Sequence, residues 1–118
     1  MNCLAEADLE TLVSSMLTGF DTRVALIPNT LCAPFHEEAR QVETELLTIY
    51  KMVTLCVKRE QDLDRIAAAW AVMVKICDDT ARRLAGLCHA HPNCGADTYY
   101  DRVLDLRNRC HRLQMMHS

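Results

Sequence analysis

Residues 35–85 contain neither glycine nor proline. These two residues interrupt helices most readily, glycine through backbone entropy and proline through its missing N–H and its ring. The stretch is therefore free to be helical almost throughout, and the arrangement of its apolar residues says how such helices would pack.

Phe35, Ala39, Val42, Leu46, Ile49, Val53 and Cys56 recur at alternating intervals of four and three, which predicts a helix over 35–58 with one continuous apolar seam. Leu47, Tyr50, Leu55 and Val57 widen that face, so the helix is expected to meet two neighbours. A second seam, Leu63, Ile66, Trp70, Met73, Cys77, Thr80, Leu84 and Leu87, predicts a helix over 62–89, with Thr80 its one polar member. Ala67, Ala68, Ala69 and Ala71 leave one flank small enough for close approach.

One rod through both seams would span about 75 Å, against roughly 30 Å for a globule of this chain length. Charge marks the break. Lys51, Lys58 and Arg59 precede it, and Glu60, Asp62 and Asp64 follow it, each suiting its end of a helix dipole. A tight turn at 58–62 is expected, with Asp62 as N-cap.

Leu9, Leu12, Val13, Met16 and Phe20 predict a first helix over 3–18, stopped by Gly19. Gly19, Asp21, Pro28, Asn29 and Pro34 punctuate a connector over 19–34. Its Val24, Leu26, Ile27 and Leu31 are apolar enough to pack over one end of the helices. After a break at 88–97, Tyr99, Val103, Leu106, Cys110 and Leu113 repeat the seam in a last helix capped by Asp97 or Thr98. The expected fold is all-α: a single domain over 1–118, built as an antiparallel four-helix bundle of up-down-up-down order.

Composition narrows the function classes. The formal net charge of -3 supplies no broad positive field for nucleic acid or an anionic membrane. No apolar run approaches the length needed to span a bilayer. Residues 1–10 carry acids and no basic, apolar leader, so neither a secretory signal nor a mitochondrial presequence is expected. Seven cysteines, an odd count spread through helical patterns, read as mostly free thiols in a cytoplasmic protein.

Motifs that carry chemistry are scarce. The loop Cys88-His89-Ala90-His91-Pro92-Asn93-Cys94 holds four zinc-type ligands, and Cys110 on the last helix extends the candidate set. Its C-x5-C and H-x-H spacings differ from the usual structural zinc pairs, so the competing reading is a polar turn or a Cys88–Cys94 disulfide. Glu37, Glu38, Glu43 and Glu45 lack the Glu-x-x-His pattern of di-metal bundles and read as a solvated face. Cys94, near His91 and ahead of a helix start, is the best placed thiol for nucleophilic chemistry, but no supporting constellation accompanies it. Phosphate-binding and hydrolase signatures are absent.

The reading is a non-enzymatic helical interaction module that self-associates, as a homodimer, or binds a partner helix. Its candidate interface residues are Leu47, Tyr50, Leu55, Val57, Met115 and Met116. The alternative is a small ligand- or metal-binding bundle, with zinc as the expected ion, using Cys88, His89, His91, Cys94 and Cys110.

Overall fold

A computed structural model describes residues 6–117. Four helices follow one another: α1 (Glu6–Ala25), α2 (Ala33–Arg59), α3 (Leu63–Ala90) and α4 (Asp97–Met116). They form an all-α four-helix bundle with extents of 51 × 25 × 16 Å, too short for a continuous α2–α3 rod. The break falls at 60–62, inside the expected turn. Asp62 caps α3 as expected, its carboxylate accepting from the Asp64 backbone N–H at 3.0 Å.

The seams build the core. Phe35, Ala39, Val42, Leu46, Ile49 and Val53 are buried on α2, and Ile66, Trp70, Met73, Cys77, Thr80, Leu84 and Leu87 on α3. Tyr99, Val103, Leu106 and Cys110 are buried on α4. Thr80 is tolerated there because its hydroxyl donates to the Ile76 carbonyl at 2.9 Å. Leu63 is exposed, since it is the first residue of α3 and lies at the turn.

α2 and α3 are central. α1 packs against both, and α4 packs against both, most extensively against α3. Ion pairs tie four of these helix contacts: Arg23–Glu38 (2.6 Å) for α1 and α2, and Arg83–Asp21 (3.1 Å) for α3 and α1. Arg107–Asp78 (3.2 Å) joins α4 to α3, and Arg102–Glu43 (3.8 Å) joins α4 to α2. Such pairs add little energy each, but they fix which faces meet. Glu43 thereby departs from the solvated face expected for it. Its side chain is buried where α4 covers the flank of α2.

Two helix boundaries and the packing of the connector differ from expectation. α1 does not stop at Gly19 but runs on to Ala25, so the connector shortens to 26–32. A helical glycine costs about 1 kcal/mol relative to alanine. Burying Phe20, with Val24 packed beside it, returns about 1.5–3 kcal/mol and outweighs that cost. Residues 3–5 of the expected first helix lie outside the described residues. Within the connector, Ile27 packs on the core, whereas Leu26 and Leu31 are exposed and do not form the expected cap. Finally, α4 is capped by Ala96, without a side-chain hydrogen bond, and not by Asp97 or Thr98. The backbone N–H groups of Tyr99 and Tyr100 both donate to the Ala96 carbonyl at 3.1 Å, so the helical bonding begins one residue early.

Candidate functional site

The Cys/His loop is held for structural reasons. Cys94 forms a disulfide with Cys32, which lies at the N-terminus of α2, with a Cα–Cα distance of 4.8 Å. Cys94 is therefore neither the exposed free thiol of a polar turn nor the partner of Cys88, the two alternatives its local sequence offered. The fold brings the starts of α2 and α4 together across 62 residues, a juxtaposition that local spacing does not reveal. Gly95 follows with φ of 77°, a left-handed conformation that glycine adopts without a Cβ clash. Beside it, His91 stacks on Phe35 with ring centroids 3.7 Å apart. His36 Nε2 and the Tyr99 hydroxyl lie 3.3 Å apart, and Arg102 sits over the Tyr99 ring at 5.4 Å.

The five candidate metal ligands therefore occupy different environments. Cys94 is committed to Cys32, His91 to Phe35, and Cys110 is buried against Cys77 on α3. Cys88 is half-buried and His89 exposed. Among the described residues, no three His, Cys, Asp or Glu side chains converge where they would hold a metal ion. Thiols are also fewer than expected: Cys77, Cys88 and Cys110 are free, whereas Cys32, Cys94 and Cys56 are disulfide-bonded.

Two of the free thiols, Cys77 and Cys88, are held protonated, and the third, Cys110, is lowered by its hydrogen bond with Cys77 but is fully buried and out of reach of a substrate. A hydrogen bond to Cys110, then burial, pushes the Cys77 thiol far above its ordinary value. Burial, with Asp97 and Asp101 nearby, raises Cys88 as well. Cys94, the thiol best placed from sequence for nucleophilic attack, is oxidised.

The apolar surface lies elsewhere. α1 and α2 diverge around an open groove of about 320 Å³ lined by Leu12, Ser15, Met16, Glu45, Thr48, Ile49 and Met52. Ile49 and Met16 are buried at its floor, while Leu12 (43%) and Met52 (47%) stand exposed on its walls. Leu55, one turn beyond Met52, is 59% exposed. Polar groups lining α2 are turned along the helix. The Thr48 hydroxyl donates to the Thr44 carbonyl at 3.1 Å, and Glu45 accepts from the Gln41 amide at 3.0 Å.

Of the candidate interface residues, Leu55, Met115 and Met116 are exposed. Leu47, Tyr50 and Val57 instead pack against the core, with the Tyr50 ring 5.7 Å from that of Trp70. Sequence reasoning placed Leu12 in the core and did not single out Met52. The signal for Met52 was present: it falls outside the Leu46–Ile49–Val53 seam and shares its side of α2 with Leu55, three residues on.

Among the described residues, no helix is long and apolar enough to cross a membrane. Comparison with protein-family models, with curated proteins and with solved structures returned no match for this chain.

Proposed function

We propose that this chain is a non-enzymatic helical interaction module that associates through the α1/α2 face. The observation that carries this reading is the exposure of Leu12, Met52 and Leu55 around a groove with an apolar floor. An open cleft with a mostly apolar lining suits the inserted side chains of another helix better than an enclosed small molecule.

About half of each exposed side chain remains to be buried, on the order of 1 kcal/mol apiece. A contact of this size gives weak association, with Kd in roughly the micromolar to millimolar range. The module thus works at high local concentration or through repeated contacts. The disulfides at Cys32–Cys94 and at Cys56 support an oxidising compartment in place of the expected cytoplasm.

The test combines two measurements on the intact chain and on Met52→Glu. The apolar dye anilinonaphthalene sulfonate reports accessible apolar surface, and sedimentation velocity reports association. The reading predicts dye binding or self-association in the native chain, either one reduced by Met52→Glu with the melting temperature preserved. A strictly monomeric chain that binds no dye contradicts it.

A further inference from the structure

The α1/α2 face is flanked by charge in a self-complementary order. Glu45, Met52 and Arg59 follow one another at seven-residue intervals on α2. Seven residues are close to two helical turns, so the three share one stripe, with the charges about 10 Å to either side of Met52. Glu45 lines the groove with Met52, and Arg59 is exposed at the end of α2.

Neither charge is used inside the fold. Glu45 accepts from the neutral Gln41 amide, and among the described residues neither Glu45 nor Arg59 enters an ion pair. The contrast is with Arg23, Arg83, Arg102 and Arg107, each of which joins one helix to another.

We propose that the occupant of this face is a second copy of the chain, with the two α2 helices antiparallel about a two-fold axis at Met52. This rests on the interaction-module reading above and supplies its partner. The two-fold axis exchanges positions 45 and 59. It sets Glu45 of each copy opposite Arg59 of the other, with Met52, Leu55 and Leu12 of both copies between the two ion pairs and the half-buried, disulfide-bonded Cys56 on the same face of α2. An isologous dimer requires such self-complementarity. The parallel alternative opposes Glu45 to Glu45 and Arg59 to Arg59, so the charges select against it as well as for the antiparallel arrangement. Lys51 lies about 100° around the helix from Met52, on the flank of the stripe and outside its centre.

Charge exchange tests the arrangement. Sedimentation is run on the full, disulfide-intact chain at low salt, with dye binding measured alongside. Glu45→Arg and Arg59→Glu each turn both symmetric pairs repulsive, and each is expected to weaken the dimer by about tenfold or more. The double variant E45R/R59E recreates both pairs in reverse, and its Kd should return to within about threefold of the native value. All three variants should melt near the native temperature, because Arg59 is exposed, Glu45 is only half-buried at the groove edge, and neither is ion-paired among the described residues, so each change costs on the order of 0.5 kcal/mol. A dimer that the single variants leave unchanged, or that the double variant fails to restore, overturns the proposal. A native chain that stays monomeric yet binds dye at Met52 overturns self-pairing while leaving the interaction module standing. A monomer without dye binding removes both.

Discussion

Replacing Cys32 and Cys94 together with alanine removes a link that closes the chain across 62 residues. In the loop-entropy treatment, a closure of this length constrains the unfolded chain by about 4 kcal/mol. Corrections from the folded state are small. Cys32 is exposed and makes no side-chain capping bond to α2, so alanine there orphans nothing. Cys94 is buried, and losing its sulfur costs roughly 1 kcal/mol of packing. The sum, about 4–5 kcal/mol, is a large part of the roughly 5–15 kcal/mol that holds a domain folded. It corresponds to a fall in Tm of about 15–20 °C. Urea unfolding followed by circular dichroism, without reductant so that the disulfide at Cys56 persists, measures it. Cys88→Ala serves as the control and should retain the Cys32–Cys94 link on peptide mapping. A double variant within about 1 kcal/mol of the native chain would refute the entropic argument. Loss of the link in Cys88→Ala would refute the pairing.

Gly95→Ala forces a side chain onto a backbone at φ 77° and brings its Cβ to 3.2 Å from His36 Cδ2, so a loss of about 1–2 kcal/mol is expected. Gly86→Ala meets nothing within 4 Å inside α3 and should gain about 0.5–1 kcal/mol; a raised melting temperature for Gly95→Ala contradicts the first argument, and a lowered one for Gly86→Ala contradicts the second. Trp70→Phe should lie within about 1 kcal/mol of native in urea, because the buried Trp70 indole N–H has no hydrogen-bond partner among the described residues and its removal offsets lost packing; a loss above about 2 kcal/mol contradicts this. Cys88 should alkylate more slowly in the native chain than in the urea-unfolded one, since burial, with Asp97 and Asp101, keeps it protonated. Its raised value makes it stabilising below the ordinary thiol value of 9.0, and that contribution is lost as pH rises through the folded value. Cys88→Ala should therefore flatten the alkaline loss of stability, and an unaltered pH profile would contradict the assignment.

Much of the architecture is local and therefore legible. The seams of α2, α3 and α4 carry the core because every third or fourth residue shares a face, and Asp62 marks a helix start through its own backbone geometry. What was not legible depends on neighbours. Gly19 signals a stop, and only the packing of Phe20 carries α1 past it. Leu12 fits the same periodicity as Val13 and Met16, and only the placement of α2 leaves it outside. Leu47, Tyr50 and Val57 looked like surplus apolar surface until the rest of the bundle packed against them. The Cys32–Cys94 bond joins distant segments, and pairing by nearest neighbour overlooks it. The candidate site follows the same rule. Its apolar residues were visible one helix at a time, but the groove exists only between two helices.

Sedimentation velocity on the native chain and on Met52→Glu, over one series of roughly micromolar to millimolar concentrations, tests the central claim most directly. The account predicts that the native sedimentation coefficient rises with concentration toward that of a dimer, while Met52→Glu stays monomeric with an unchanged melt. Superimposable curves for the two chains would contradict it.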